Sequence, residues 1–321
     1  MRRSYICTVL FSVLFLCVAA AAQSPPVPTG PPRITPNSGP DNSDADFQRR
    51  VADMFNLERK LGAIRGPVKT PPPEPKLSSE ERERVLRLRR VAPSDLEAYS
   101  GVLKQEHTGV FKLFPDLGCI SRQVVKVSDE CEKFVPLSSH FTFRTNNYGD
   151  DIYHDIRFRD GRLSSNSFFS QGVITTIGDE AVDAVGLAHP ALKFLTALVP
   201  DTDPKAAATH ARSFQAGIDS ENFRYADSVE ARENVTYAMR MIAYRLENTL
   251  KPMSAETTTN EMMFLSLPFD KRLDVIVVFR ILRRDESGGL TIVWKELTRD
   301  GASKIKYARN QALKDFRPEQ K

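Results

Sequence analysis

Two long β-branched segments joined by a short polar loop place the strongest constraint on how this chain can fold. They lie within residues 272–300, and the loop between them ends in Gly288 and Gly289, a pattern typical of a β-hairpin. Apolar side chains occupy both alternating faces of the first segment, with Leu273, Val275, Val277, Phe279 and Ile281 on one face and Ile276, Val278 and Leu282 on the other. A strand of this kind is predicted to lie inside a sheet covered on both sides, so we expect the hairpin to be the centre of the core.

The order of residues at the N-terminus is that of a secretory signal peptide. Arg2 and Arg3 precede an apolar stretch at residues 6–18, and small residues at 19–22 offer a cleavage site. We therefore predict a signal peptide over residues 1–22, with an uncleaved N-terminal anchor as the alternative. No later segment is long and apolar enough to predict a membrane-spanning helix, so the mature protein is expected to be secreted or periplasmic.

Charge and cysteine content narrow the class of protein further. The net charge of the whole chain is +4, and loss of Arg2 and Arg3 would lower it by two, so a nucleic-acid-binding surface is not predicted. Removal of the signal peptide leaves Cys119 and Cys131, which we predict to form a disulfide in an oxidising compartment. Two free or buried thiols are the alternative, and the absence of a CxxC motif argues against a metal site.

A proline-rich segment separates the signal peptide from the expected folded body. Residues 23–76 contain two proline-rich stretches and few apolar residues, which favours a disordered arm. Within the arm, residues 44–64 carry apolar side chains at helical spacing and predict an amphipathic helical island. This island would either dock on a partner or membrane surface, or pack back onto its own body.

Residues 77–303 are predicted to form a single domain that begins with a pair of helices. Ser78 and Glu81 have the spacing of a capping box and open the first helix. Pro93 is expected to end it, and a second helix is expected to bury Leu96 together with later apolar residues. One inserted helix is predicted to begin at Asp203-Pro204 and to end near Gly217.

Short alternating segments predict that the rest of this domain is mostly antiparallel sheet. The predicted strands other than the hairpin lie at residues 109–114, 123–127, 140–145, 152–159, 163–169, 172–177 and 234–245. The fold class is therefore predicted as α+β, with a curved, sandwich-like or half-barrel-like sheet. Residues 304–321 are highly charged, and we expect them to form a frayed tail.

Motifs whose spacing carries a catalytic mechanism are absent from the sequence. It contains no GxSxG, HExxH, Walker, GxGxxG or EF-hand pattern, and we predict no catalytic residues, metal site or cofactor. The densest group of chemically capable residues comprises Asp150, Asp151, His154, Asp155 and Asp160. Because neighbouring residues of a strand point to opposite faces, and because aspartate is common at turns, we interpret this group as turn and surface residues.

Several aromatic residues on predicted strands allow a second kind of site. If the sheet closes far enough, a pocket for a small apolar ligand could be lined by Phe141, Phe143, Phe168, Phe169 and Met239. The simpler interpretation is that these side chains fill the core.

Two strings in the C-terminal part of the chain carry a resemblance. TYAMRMIAYR at residues 236–245 and DVIVVFRILRRDESGGLTIVWKEL at residues 274–297 resemble the C-terminal half of uncharacterised exported bacterial proteins. No activity is known for that group, so the resemblance implies export and strand structure. It implies no roles for individual residues.

These observations favour an exported, non-enzymatic binding or interaction protein whose partner is unknown. A carrier of a small apolar ligand is the first alternative. A hydrolase is the second, and its site would gather polar residues from distant strands, such as Asp155, Arg157 and Tyr237.

Overall fold

A computed structural model describes most of the chain from Ser78 onward. The described residues are 78–121, 124–125, 131, 134–150, 152–247, 264, 267, 271–308 and 311–316. The predicted signal peptide (residues 1–22) and arm (residues 23–76, including the island at 44–64) lie outside them. Within the described ranges, no helix has the length and apolar character needed to cross a membrane.

The helices of the described part fall into an N-terminal group and an inserted group. They are α1 (Ser79–Arg89), α2 (Pro93–Ala98), α3 (Ser100–Leu103), α4 (Pro190–Ala197) and α5 (Pro204–Ala216). The predicted capping box is confirmed, because Ser78 Oγ accepts from the Glu81 N–H at 3.1 Å and Glu81 Oε2 accepts from the Ser78 N–H at 2.9 Å. The prediction at Asp203 is also confirmed, since its carboxylate caps α5 and Gly217 follows the last turn with a φ of 82°.

The strands are short at the start of the domain and long at its end. They are β1 (Thr108–Leu113), β2 (Ile120–Ser121), β3 (Val124–Val125), β4 (His140–Thr142), β5 (Asn147–Tyr148), β6 (Ile156–Arg159), β7 (Arg162–Ser164), β8 (Ser170–Gly178), β9 (Ile218–Ser220), β10 (Phe223–Ala226), β11 (Ser228–Glu230), β12 (Val235–Ala243), β13 (Arg245–Leu246), β14 (Leu273–Arg284), β15 (Leu290–Gly301) and β16 (Lys304–Ile305).

Two antiparallel sheets account for most of these strands. The larger has seven strands in the order β1-β15-β14-β12-β8-β10-β9, and the smaller has five in the order β11-β7-β6-β4-β5. The larger sheet is open rather than closed into a barrel, and β13 and β16 form a small parallel pair. The predicted α+β class with a mostly antiparallel, sandwich-like sheet is therefore confirmed.

The β14–β15 hairpin lies in the interior of the larger sheet, as its two-faced apolar pattern predicts. On one face, Val277 and Phe279 join a core cluster that also contains side chains of the smaller sheet, such as Phe141. On the other face, Ile276 and Val278 join a cluster that contains residues of α4 and α5. The hairpin is thus the layer shared by two cores, one between the sheets and one between the larger sheet and the helices.

The helical predictions need two corrections. The N-terminal group has three described helices rather than a pair, and α4 adds a second inserted helix before α5. Pro93 begins α2 instead of merely ending α1, because proline fits the first helical position, where no N–H is needed. This start exposes 44 % of Leu96 and buries Asp95, which forms an ion pair with Arg283.

The predicted strands at residues 140–145, 152–159 and 163–169 are each too long. β4 ends at Thr142, β6 begins only at Ile156, and β7 ends at Ser164. The chain turns at Asn146 and Phe169, whose φ angles of 50° and 53° are incompatible with extended strand. The alternation of apolar residues continues past these turns. The length of an alternating segment therefore does not predict where the hydrogen-bonded strand ends.

The expectation of a frayed tail is wrong for the tail residues that the structure describes. Lys304–Ile305 pairs with β13, and Ile305 and Phe316 are buried in a cluster with Phe169. The Phe169 and Phe316 rings stack with centroids 4.6 Å apart. Two apolar residues therefore anchor a segment whose overall charge suggested a solvated tail.

The two cysteines of the predicted disulfide lie at bonding distance. The Cys119 and Cys131 Sγ atoms are 2.10 Å apart and the Cα atoms 5.8 Å apart, which is compatible with the predicted bond. Cys119 is buried and directly follows residues that border the cleft described below.

Candidate functional site

The aspartates and histidine that cluster in the sequence do not form a common site. Asp160 occupies a turn with its side chain 83 % exposed, whereas Asp155 is buried. The Asp150 carboxylate accepts from the Ile152 and Tyr153 N–H groups at 2.8 and 2.6 Å, a local turn contact. Asp151 lies outside the described residues. The interpretation of Asp155 as a surface residue was wrong. The alternation of apolar and polar residues along this segment does not reveal that other parts of the chain cover the face on which Asp155 lies.

Asp155 instead belongs to a fully buried ion pair with Arg144. The Arg144 Nε donates to Asp155 Oδ1 at 2.6 Å, and the Arg144 backbone N–H donates to Asp155 Oδ2 at 3.0 Å. Both side chains have zero exposure, and Arg144 also donates to the Lys271 carbonyl. The pair therefore joins the turn after β4 to the segments that precede β6 and β14, which is a structural role.

Two histidines that are distant in sequence also meet beside this pair. The rings of His140 and His154 lie 4.6 Å apart between centroids, and both residues are buried. His140 Nδ1 lies 3.0 Å from Ser139 Oγ, and His154 Nδ1 lies 2.9 Å from the Asp150 carbonyl oxygen. Sequence spacing could not have indicated this contact, because a turn and a strand pairing bring the two residues together.

The aromatic residues proposed to line a pocket fill two separate cores. Phe141, Phe143 and Met239 lie between the two sheets, and Phe168 and Phe169 lie in the cluster that holds the C-terminal segment. All five are almost completely buried. They therefore do not line a common cavity for an apolar ligand.

The three residues named for a hydrolase site are likewise engaged separately. Asp155 pairs with Arg144, Arg157 pairs with Asp116, and the Tyr237 hydroxyl bonds to the Arg232 N–H and the Glu230 carbonyl at 2.9 Å each. None of the three lines the cleft that is described below. A histidine–carboxylate pair that sequence analysis missed lies at His210 and Asp201, whose Nδ1 and Oδ2 atoms are 3.0 Å apart.

One buried carboxylate has a pKa that makes stability depend on pH. Burial raises the pKa of Asp227, and a hydrogen bond from Asn166 and the charge of Arg162 offset only part of the rise. The folded protein therefore holds the proton to higher pH than the unfolded chain. As pH rises through the window between these two pKa values, Asp227 reduces the stability of the fold.

We expect Asp227→Asn to be more stable than the wild type at pH 7, because the amide carries no charge to bury. The difference should disappear below about pH 3, where aspartate is protonated in both the folded and unfolded states. Urea unfolding from about pH 3 to pH 7 measures it, with the exposed Asp219→Asn as the matched control. A variant that is less stable than the wild type at pH 7 and equal to it at about pH 3 would show that the ionised carboxylate is stabilising.

A half-open cleft lies at one end of the sandwich. It has a volume of about 300 Å³ and is formed by residues 115–117, residues 158–161, Arg284 and Gly288. These come from the segment after β1, the β6–β7 hairpin and the β14–β15 hairpin, so packing of the smaller sheet against the larger brings them together. We call this site the hairpin cleft. Its volume is at the lower end of the range for small-molecule sites.

Hydrogen bonds and an ion pair hold the wall of the hairpin cleft that residues 115–117 form. The Asp116 N–H donates to the Phe158 carbonyl at 2.8 Å, and Asp116 Oδ1 accepts from the Gly118 N–H at 2.9 Å. The Arg157 guanidinium pairs with the same carboxylate. This wall is therefore tied to β6 through both its backbone and its side chain.

The turn of the β14–β15 hairpin is also held in place. Asp285 accepts from the Lys112 ammonium at 2.9 Å and from the Gly289 N–H at 2.8 Å. Burial alone would raise the pKa of Asp285, but the hydrogen bonds from Ser287, Lys112 and Gly289 lower it below its ordinary value. The carboxylate is therefore ionised at neutral pH and ties the turn to β1.

Arg284 places a cation in the hairpin cleft beside an aromatic ring. Its guanidinium carbon lies 5.6 Å from the Phe158 ring centroid, and its Nη2 donates to the Ala231 carbonyl at 3.3 Å. The other lining arginine, Arg159, already pairs with Asp160 at 3.3 Å. Within the part of the chain that the structure describes, no carboxylate lies within ion-pair distance of Arg284.

The hairpin cleft offers both apolar and charged groups to a small molecule. A preformed concave surface with apolar walls at Pro115, Leu117 and Phe158 can hold a small group, and Arg284 can orient a polar one. Across the described ranges, no three His, Cys, Asp or Glu side chains are placed to hold a metal ion.

Comparisons with protein-family models, with curated proteins and with solved structures find no match to this chain.

Proposed function

We propose that this chain is an exported, non-enzymatic binding protein and that the hairpin cleft is its binding site. The observation that carries the proposal is that three turns, distant in sequence, form one concave site whose walls are tied down by their own contacts. A preformed site of this kind loses little conformational entropy when a ligand binds. The N-terminal sequence pattern supports export, because residues 1–22 have the composition of a signal peptide.

Binding is favoured over catalysis because the residues best able to do chemistry are used elsewhere in the fold. Asp155 is buried against Arg144, and the Tyr237 hydroxyl is saturated by backbone groups. The hairpin cleft itself contains guanidinium and carboxylate groups that pair with each other, together with apolar walls. Such a lining recognises a ligand by shape and charge.

Nuclear magnetic resonance of the isotope-labelled mature protein tests this proposal. The probes are benzoate, benzamide, benzylamine and phenyl phosphate, which share a ring and differ in charge. We expect at least one of them to shift the backbone amide signals of residues 116–117, 158–161 and 284–288. Shifts that are absent from all three segments with every probe would contradict the proposal.

A matched pair of variants locates the binding. Leu117→Trp fills the hairpin cleft, and Leu187→Trp adds the same ring at an exposed leucine outside it. We expect binding to be lost in the first variant and retained in the second. If the Leu117→Trp variant still binds the probe, the probe binds elsewhere and the assignment of the hairpin cleft as the binding site is wrong.

A further inference from the structure

We propose that the hairpin cleft recognises a monoanionic carboxylate and that Arg284 is the residue that anchors it. This inference rests on the proposed function and deepens it by naming the chemical class of the ligand.

Of the four charged side chains that line the cleft, all but Arg284 belong to an ion pair. Asp116 pairs with Arg157, and Asp160 pairs with Arg159. The nearby Asp285 is occupied by Lys112 and by backbone and hydroxyl donors of its own turn. Arg284 has a backbone carbonyl and an aromatic ring as its partners, and no carboxylate of the described residues reaches it. One positive charge at the cleft is therefore left for a ligand to neutralise.

Arg284 is exposed at the end of β14, and two contacts orient its side chain for recognition. One nitrogen of its guanidinium donates to the Ala231 carbonyl at 3.3 Å, and the Ala231 N–H in turn donates to the Gly161 carbonyl at 3.0 Å. The Phe158 ring lies beside the guanidinium. These contacts leave further N–H donors in a planar fork, which matches the two oxygens of a carboxylate. Less side-chain freedom remains to be lost when a ligand binds.

The carboxylates of the cleft set a limit on the charge of the ligand. Asp116 and Asp160 both line the cleft and would repel a dianion such as a phosphate monoester more strongly than a single negative charge. Pro115, Leu117 and Phe158 offer apolar contact for the body of the ligand. The chemistry thus favours a planar monoanion on an apolar or aromatic group, as found in small carboxylic acids and at the C-terminus of a peptide.

Matched probes separate this inference from the proposed function. Dissociation constants are measured by titrating benzoate, benzamide and phenyl phosphate into the mature protein and following the cleft amides. We expect benzoate to bind more tightly than both of the others. Equal or tighter binding of benzamide or phenyl phosphate at the cleft would overturn the carboxylate inference while supporting a binding site there. No binding of any probe would contradict the proposed function itself.

Variants of Arg284 test the anchoring role. Arg284→Gln removes the charge and is expected to weaken benzoate binding about tenfold or more, while benzamide binding stays nearly unchanged. Arg284→Lys keeps the charge but loses the fork, so an intermediate loss is expected. Arg224→Gln, at an exposed arginine paired with Asp219, is the matched control. Benzoate affinity that is unchanged in Arg284→Gln would overturn the assignment.

Acetylated and amidated peptides distinguish the two sources of the carboxylate. N-acetylphenylalanine models a small acid, and acetyl-Ala-Ala-Phe with a free C-terminus models a peptide end. If the longer peptide binds at least as tightly and its C-terminal amide does not, the cleft accepts peptide C-termini. If only the small acid binds, the ligand is a free carboxylic acid. Cleft binding by both the acid and amide forms of each probe with equal affinity would overturn recognition of the carboxylate.

Discussion

Asp155→Ala will lower the free energy of unfolding by about 3–5 kcal/mol, the range found when one partner of a buried ion pair is removed. The side chains of Asp155 and Arg144 have zero exposure, and the carboxylate accepts from both the guanidinium and the backbone of Arg144. The substitution leaves the guanidinium buried without its counter-charge. Urea unfolding followed by circular dichroism measures the loss, and the midpoint concentration gives the comparison with wild type.

Two controls make this prediction specific to the buried pair. Asp219→Ala removes a carboxylate from an exposed pair, in which Asp219 is 74 % exposed, and should change stability by less than about 1 kcal/mol. The double variant Arg144→Met with Asp155→Leu should recover part of the loss, because apolar residues of similar volume carry no charge to bury. If Asp155→Ala behaves like Asp219→Ala, the pair does not join the segments around it.

Phe279→Ala is expected to lower the free energy of unfolding by about 3–5 kcal/mol, as for other large-to-small changes in packed cores. Phe279 is completely buried in β14, an interior strand of the larger sheet. Its ring stacks on Tyr237 of the neighbouring strand at 5.2 Å and on Phe143 of the opposite layer at 5.9 Å. Alanine would leave a cavity between the two sheets that neither ring can fill without moving the other.

The matched control is Phe223→Ala, on the strand next to the edge of the same sheet. Phe223 lies on β10, is only half-buried and packs at the margin of the helix-facing cluster, so its truncation should cost clearly less. Chemical denaturation of the two variants side by side measures the difference. Equal losses would mean that the hairpin does not dominate the core.

Particular residues show where sequence reasoning succeeded. The apolar pattern of residues 273–282 predicts a strand covered on both faces, and both coverings are present as the smaller sheet and the helices. Ser78 with Glu81 and Asp203 with Pro204 predict helix starts that the structure confirms. These patterns involve residues that are close together in the sequence. They therefore predict local structure without knowledge of the contacts made by the rest of the chain.

Other residues show where it failed. Asp155 was interpreted as a surface residue from its place in a turn-rich segment, but it is buried against Arg144. The residues of the hairpin cleft gave no signal as a group, because they occupy turns separated by 40 residues or more along the chain. Arg284 and Phe158 are ordinary strand-end residues in the sequence, and only the packing of the two sheets places one beside the other.

The sequence by itself determined the hairpin at the centre of the core, the alternation of its two apolar faces and the caps of two helices. These features follow from backbone geometry and burial, which act between near neighbours in the chain. Only the tertiary structure decided which charges are buried in pairs and which cation remains at the hairpin cleft. The physical reason is that electrostatic partners are chosen by distances across sheets and turns, and no local pattern encodes those distances.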